Sequence, residues 1–184
     1  MKKVVFYLMA FFMVPPFLLA QDVYATARVI DGDTFKLSNG QKVKLAGINA
    51  PEIHDESKLR DESRKFGKDI WLYRTLGGDA MKVAGHILAM GKNQVRLESG
   101  TEAFDQNGDL FAYAYVPAEH LEKDMIPDEK VFFKKGGRYE IFLNAYLVKT
   151  GSAEVISMPV DTEHQKLFLE LQAEAKEAKR GIWA

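Results

Sequence analysis

Two short segments in the first third of the chain carry oxygen-bearing side chains where predicted strands end. The first, Asp31 to Thr34, forms a turn between two strands, and the second, Asn49 to Glu52, follows the next hairpin. We expect both segments at the mouth of the same sheet. Asp33 and Asn49 with a nearby carbonyl could hold a hard cation, because calcium takes several oxygen ligands. Glu52 could then orient a water molecule for attack, so the pattern predicts a metal-assisted hydrolytic site.

Other kinds of site are excluded or disfavoured. The chain has no cysteine, which excludes disulfides, thiolate nucleophiles and cysteine-ligated metals. No two of its four histidines have the spacing of metal ligands. The stretch 105–109 alternates acidic and amide groups as a calcium loop does. However, Leu110 stands where the sharp turn needs glycine, and Val116 where a bidentate glutamate belongs. An ordinary turn is therefore predicted there.

The composition is that of a globular protein with balanced charge. The 184 residues are 47% hydrophobic and 28% charged, with 25 Lys and Arg against 26 Asp and Glu and a net charge of −1. The apolar content excludes a largely disordered chain. The charge balance excludes a protein that holds nucleic acid by bulk positive charge.

The N-terminus has the pattern of a secretory signal. Lys2 and Lys3 precede an uncharged, apolar run over residues 4–20 that contains two prolines. Residues 1–20 are predicted to be removed, with cleavage after Ala20 or as late as Ala25. The alternative is an uncleaved membrane anchor, for which the run is short. Cleavage predicts a mature domain over 21–184, secreted or periplasmic, with no membrane span.

Hydrophobic patterning predicts many strands and few helices, and therefore a small β-barrel with packed helices. The predicted strands are 23–30, 34–37, 42–48, 94–98, 110–116, 131–133, 139–142 and 153–157, and Ser38 to Gln41 marks a hairpin. Asp79 is expected to cap a helix ending at Met90, and a second short helix covers 143–150. Thr162 and Gln165 predict a capping box for the terminal helix, which Gly181 closes.

The segment 53–76 differs from its surroundings because it is dense in charge and poor in apolar residues. It is predicted to be a solvated loop or a short surface helix. The alternative is a lid over the candidate site.

Five segments, in order along the chain, resemble the staphylococcal nuclease (thermonuclease) family. They are Val29–Thr34, Leu45–Glu52, the stretch from Asp105 through Gly108 to Tyr113, Leu143–Val148 with Gly151 and Ala153, and the end from Ala173 to Trp183. The resemblance runs from about Ala25 to Trp183, with apparent insertions near 53–76 and 117–141. It implies an α+β fold, a five-stranded OB-fold β-barrel with three packed helices. It also implies a calcium-dependent, secreted phosphodiesterase that cuts DNA and RNA.

The resemblance assigns roles to particular residues. Asp33, Asn49 and the Ala50 carbonyl fall at the calcium ligands, Asn49 standing where the family has a second aspartate. Glu52 falls at the carboxylate that activates water, while Lys44 and Asp109 occupy the places of two phosphate-gripping arginines. The positions beside the bound nucleotide, tyrosines in the best-known member, are Asn107, Ser157 and Pro159 here.

These departures weaken the expected catalysis. A lysine lacks the bidentate fork with which arginine grips a phosphate. Asp109 places a negative charge where the family has an arginine, and one such arginine accelerates phosphoryl transfer roughly 10³–10⁵-fold. Asn49 removes a charge from the metal site, so calcium binding is expected to be weak or lost. The other cations that could replace the arginines are Arg60, Arg64, Arg74, Lys134, Lys135 and Arg138. The sequence predicts an exported, monomeric, degenerate nuclease-like domain that binds nucleic acid or a protein partner; the alternative is an active calcium-dependent nuclease with a rearranged site.

Overall fold

The computed structural model describes residues 23–99, 103–105, 107–118, 128–156 and 164–184. The predicted signal sequence, Ser157, Pro159 and Thr162 therefore lie outside the described residues. Among the described residues, no helix combines the length and the apolar character needed to cross a bilayer.

The described residues contain nine strands. They are β1 (Val23–Val29), β2 (Thr34–Leu37), β3 (Lys42–Leu45), β4 (Ile48–Asn49), β5 (Gln94–Glu98), β6 (Leu110–Pro117), β7 (Phe132–Lys135), β8 (Arg138–Phe142) and β9 (Glu154–Val155). The α-helices are α1 (Glu56–Lys65), α2 (Ile70–Met90), α3 (Leu143–Lys149) and α4 (Gln165–Glu177), followed by a 3-10 turn at Gly181–Trp183.

Five of the strands close into a barrel. They follow the order β3-β2-β1-β5-β6 through antiparallel pairs, and β3 then runs parallel to β6 with Val43 opposite Leu110. The second half of β6 also pairs with β8, which pairs with β7. The predicted α+β OB-fold barrel is thereby confirmed, with four α-helices within the described residues where three were expected.

Alternation along β3 decides which side chains face the candidate site. Val43 and Leu45 point into the barrel and are at most 1% exposed. Because successive side chains of a strand point to opposite faces, Lys42 and Lys44 share the outer face. The same strand therefore supplies two core residues and two cations.

The start of α2 differs from the prediction. The helix begins at Ile70, and the Asp69 carboxylate caps it by accepting N–H bonds from Trp71 and Leu72, so the predicted cap at Asp79 is wrong. Gly77 lies within α2, and a Cβ there would lie 2.8 Å from the Pro51 carbonyl oxygen, so this glycine lets α2 approach the candidate site closely.

The last helix also starts later than predicted. The residue before α4 is His164, which makes no side-chain cap hydrogen bond. His164 instead contacts an aromatic cluster, with its ring 4.4 Å from that of Tyr113. Gln165 is the first residue of this helix, and the predicted capping box also involves Thr162, which lies outside the described residues.

The charged segment 53–76 forms α1 and the first part of α2, packed onto the domain. Leu59 and Tyr73 are 0% and 1% exposed and form a small second core with Ile182. Phe66 lies between the rings of Tyr73 and Trp183, with centroids 5.4 and 5.3 Å away. The prediction of a solvated loop is wrong, whereas the short helix predicted with it is present.

Candidate functional site

The first part of the candidate site is the turn between β1 and β2. Asp33 is 3% exposed, and its Oδ2 accepts the Ala50 N–H at 2.9 Å while its Oδ1 accepts the Thr34 hydroxyl at 2.7 Å. Gly32 allows this approach, because a Cβ there would lie 2.7 Å from the Cβ atoms of both Ala50 and Ala80. The structure thus joins Asp33 to the Ala50 N–H, whereas the resemblance implied the Ala50 carbonyl as a ligand.

A second carboxylate lies beside the first. The Asp33 N–H donates to Asp31 Oδ1 at 3.1 Å. Burial, with the neighbouring Asp33 charge, raises the pKa of Asp31 to about 6. The turn therefore concentrates negative charge at the mouth of the barrel.

Lys44 lies next to this turn from the outer face of β3. Its Nζ is 3.8 Å from Asp33 Oδ1, and its side chain is 26% exposed. This ammonium partly neutralises the buried carboxylate. Lys44 is thus a member of the site, and its nearest anion is a protein side chain.

The Asn49 side chain forms a hydrogen bond with a residue that was not predicted to belong to the site. Its Nδ2 donates to Glu62 Oε1 at 3.0 Å, and Glu62 Oε2 accepts the Glu52 N–H, also at 3.0 Å. Glu62 lies on α1, so the charged segment 53–76 is in direct contact with the candidate metal ligand. Burial raises the pKa of Tyr73, and the nearby Glu62 carboxylate adds to that rise.

Glu52 has its carboxylate fully engaged. Its Oε1 accepts the N–H groups of Ile53, His54 and Asp55 at 2.9, 2.8 and 3.3 Å. Its Oε2 is 3.3 Å from Lys58 Nζ. Burial acts to raise the pKa of Glu52, but the backbone donors and Lys58 outweigh it and lower that pKa to about 2. Glu52 therefore holds the chain entering α1 and is a weak proton acceptor.

Lys58 is the second site residue that the sequence did not reveal. Besides its contact with Glu52, its Nζ is 3.9 Å from Glu62 Oε1 one helical turn away. Burial acts to lower the pKa of Lys58, but the carboxylates of Glu62, Glu52 and Asp33 raise it above its ordinary value. The only sequence feature that could have indicated this contact is the spacing of Lys58 and Glu62, which places both on one face of a helix.

Asp109 is neutralised by a different cation. Lys42 Nζ lies 2.6 Å from Asp109 Oδ2, and the aspartate side chain is 16% exposed. Asp109 follows a tight turn in which the Asp105 carboxylate accepts the N–H groups of Asn107 and Asp109, both at 2.8 Å. The predicted ordinary turn is thus present, and Asp109 pairs with Lys42 rather than with another predicted site residue.

Several cations considered as replacements for the missing arginines have partners away from the site. Arg64 pairs with Asp61 at 3.4 Å, Arg74 with Glu56, and Lys135 with Glu98 at 2.5 Å, while Lys134 lies over the Tyr139 ring. Arg60 and Arg138 are exposed. The cations that do contact the candidate site or its rim are Lys42, Lys44 and Lys58.

The donor set does not fit a calcium ion. Within the described residues, no three His, Asp or Glu side chains are grouped so as to hold a metal. Both oxygens of Asp33 already accept hydrogen bonds, and the Asn49 amide donates to Glu62. Calcium requires six to eight oxygen ligands, whereas the acidic groups here are joined to ammonium and amide groups.

Comparison with protein families gives a match over most of the chain. The family model described as Staphylococcal nuclease homologue matches residues 42–184, which span β3 to the C-terminal turn and include Lys44, Asn49, Glu52 and Asp109. No curated protein matches the chain.

Proposed function

Since the chain belongs to the staphylococcal nuclease family, we propose that it is a nuclease-like domain in which phosphodiester hydrolysis is weak or lost and which acts by binding. The observation that carries the proposal is that the charged groups of the site neutralise one another. Asp33 faces Lys44, Glu52 faces Lys58, and Asp109 faces Lys42. Little charge is left to act on a phosphate.

The first support concerns the attacking water. A general base works best when its pKa lies near the working pH. The pKa of Glu52 is lowered to about 2, because three backbone N–H groups and Lys58 stabilise its charged form. Such a carboxylate takes a proton from water poorly, and its oxygens already have partners.

The second support concerns charge on the phosphoryl group. Hydrolysis of a phosphodiester builds up negative charge that positioned cations must stabilise. The Asp109 carboxylate adds a negative charge at one such position. The Lys42 ammonium neutralises that charge but leaves no net positive charge to stabilise the phosphoryl group. Lys44 is a point charge that already lies beside Asp33. We propose for the same reason that calcium binding is weak or lost.

The test is cleavage by the purified mature domain. Single-stranded and duplex DNA are incubated with the protein in calcium and in chelator, and we expect no cleavage above the protein-free rate. Calcium-dependent cleavage that disappears in Glu52→Gln would overturn the proposal and establish the alternative of an active nuclease.

A restored site provides the positive control. The combination Lys44→Arg, Asn49→Asp and Asp109→Arg supplies the family residues, and Lys42→Met removes the cation that the new arginine would meet. Appearance of calcium-dependent cleavage in this variant would show that these positions account for the loss. Continued inactivity would show that the loss does not lie at these positions alone.

The binding role is proposed for nucleic acid or for a protein partner. The net charge of −1 gives nucleic acid little electrostatic support. Fluorescence anisotropy of a labelled oligonucleotide over a salt series distinguishes a nucleic-acid partner from a protein partner. Affinity that falls steeply with salt indicates nucleic acid, and absence of binding leaves the protein partner.

We further propose that the domain is exported as a monomer, secreted or periplasmic, after removal of residues 1–20. The basic start and apolar run of the sequence support this proposal. Cell fractionation followed by N-terminal sequencing tests it. A product in the extracytoplasmic fraction that begins between residues 21 and 26 is expected, whereas a full-length membrane-bound product would contradict it.

A further inference from the structure

We propose that the outer face of β1, β2 and β3 docks an acidic helical segment of a partner protein through a row of three basic side chains. This basic row consists of Arg28 on β1, Lys36 on β2 and Lys42 on β3. The proposal deepens the binding role proposed above and rests on it, because it names the surface and the kind of partner.

The register of the strands brings the basic row together. Arg28 lies directly opposite Lys36 in the β1–β2 pair, and Lys36 lies directly opposite Lys42 in the β2–β3 pair. Directly opposite side chains of an antiparallel pair share one face, with their Cβ atoms about 4.5–5.5 Å apart. Arg28 and Lys36 are exposed, and the Lys42 side chain is 44% exposed. Three cations from three strands therefore form one line across the surface of the barrel.

A β-bulge places Arg28 in the basic row. The register moves from Thr26 opposite Leu37 to Arg28 opposite Lys36, so β1 uses two residues where β2 uses one. Regular alternation would instead put Ala27 opposite Lys36 and turn Arg28 toward the other face. Because of the extra residue, Ala27 and Arg28 are both exposed. Bulges redirect side chains in this way, and here the bulge adds a cation to the outer face.

The positive charge of the basic row is not balanced by its own strands. β1, β2 and β3 contain no aspartate or glutamate. Among the described residues, Arg28 and Lys36 have no ion-pair partner, whereas Lys42 pairs with Asp109 at the end of the row. Like charges directly opposite each other destabilise a sheet. An anionic partner would relieve that repulsion, so the row is suited to binding.

Spacing and composition favour an acidic helix over nucleic acid. Carboxylates three and four residues apart on a helix have Cβ atoms about 5–6 Å apart, close to the spacing in the basic row. A single nucleic acid strand, in contrast, gains affinity by stacking its bases on aromatic side chains. The aromatic residues of these strands do not offer such a platform, because Phe35 is 1% exposed and Tyr24 packs against the core. The exposed residues beside the row on β1 are Ala25 and Ala27.

Binding of a model peptide tests the proposal. The probe is a labelled alanine-based helical peptide with glutamates three and four residues apart, and fluorescence anisotropy measures its binding at low salt. The comparison probes are the same peptide with glutamines, and oligothymidylate and duplex DNA of equal charge. The variants are Arg28→Gln and Lys36→Gln. Lys166→Gln is the matched control, since it removes the same charge from an exposed position on α4.

We expect the glutamate peptide to bind saturably and more tightly than either DNA, and the glutamine peptide not to bind. Arg28→Gln and Lys36→Gln should each weaken peptide binding about two- to fivefold, the effect of one exposed ion pair. Lys166→Gln should leave peptide binding unchanged. The thermal unfolding midpoint of Lys36→Gln should not fall, because the substitution removes repulsion within the row.

Four results would each overturn the proposal. They are no binding of the glutamate peptide to the wild type, tighter binding of DNA through the same residues, an equal loss of peptide binding in Lys166→Gln, and a fall in the unfolding midpoint of Lys36→Gln, which would indicate a structural role. Calcium-dependent DNA cleavage by the wild type would instead refute the proposed loss of hydrolysis, so the two failures are distinct.

Discussion

Lys42 and Asp109 form an ion pair of 2.6 Å at the place where β3 begins its parallel pairing with β6. The pair links the strand that carries Lys44 to the turn before β6. Because Lys42 shares the outer face of β3 with Lys44, the negative charge of Asp109 is neutralised at the rim of the site. Lys42 thus neutralises the aspartate that the resemblance places at a family arginine.

Charge reversal of this pair gives the first prediction. Asp109→Arg alone places two cations together and should lower the free energy of unfolding by about 0.5–1 kcal/mol, the range for a partly exposed pair. Lys42→Glu combined with Asp109→Arg should recover most of that loss. Urea unfolding of the wild type, both single variants and the double variant measures the coupling. If the changes in unfolding free energy of the two single variants simply add in the double variant, the ion pair does not contribute to stability.

The pH dependence of Glu52→Gln gives the second prediction. The pKa of Glu52 is lowered from 4.5 to about 2 in the folded protein. Its stabilising effect is therefore present above pH 4.5 and is lost as the pH falls through 2. Glu52→Gln should unfold more easily at pH 7 by about 1–2 kcal/mol, allowing for solvent screening. The difference in unfolding free energy between the wild type and Glu52→Gln should narrow below pH 4.5. A difference that stays constant with pH would contradict the lowered pKa of Glu52.

The sequence predicted the barrel well because its signals are local. The hairpin predicted at Ser38 to Gln41 depends on neighbouring residues, and the structure has it between β2 and β3. The grouping of Asp33 with Ala50 and Lys44 was also predicted, through the resemblance.

The features that could not be predicted from the sequence depend on contacts between residues that are far apart in the chain. Lys58 and Glu62 belong to the site because Leu59 packs against Tyr73 and Ile182, and nothing in a charged segment indicates that packing. Likewise, the close approach of Gly77 to Pro51 exists only in the folded protein.

A buried asparagine that connects two strands gives the third prediction. Asn144 is 0% exposed; its Oδ1 accepts the Ala114 N–H at 3.0 Å and its Nδ2 donates to the Ala46 carbonyl at 2.9 Å. Asn144→Leu leaves both backbone groups buried without partners and should cost about 3 kcal/mol. The control is Asn39→Ala in the exposed hairpin, expected within about 0.5 kcal/mol of the wild type. Equal losses measured by urea unfolding would contradict the prediction.

The anchoring of α1 gives the fourth prediction. Leu59→Ala creates a cavity in the second core and should cost about 2–5 kcal/mol, the range for large-to-small core substitutions. Because Phe66 contacts the Trp183 ring, loosening α1 should also change tryptophan fluorescence before global unfolding. The matched control is Leu72→Ala, at a position that is 50% exposed. If both variants behave alike, α1 is not held by this core.

The most direct test of the central claim is the rate at which the wild-type domain cleaves DNA in a single turnover. Excess protein is mixed with a labelled oligonucleotide in saturating calcium, with chelator and Glu52→Gln as matched controls. If the site is neutralised internally, as Asp33 with Lys44 and Asp109 with Lys42 indicate, all three rates should equal the protein-free rate. A calcium-dependent rate that is lost in Glu52→Gln would contradict the account.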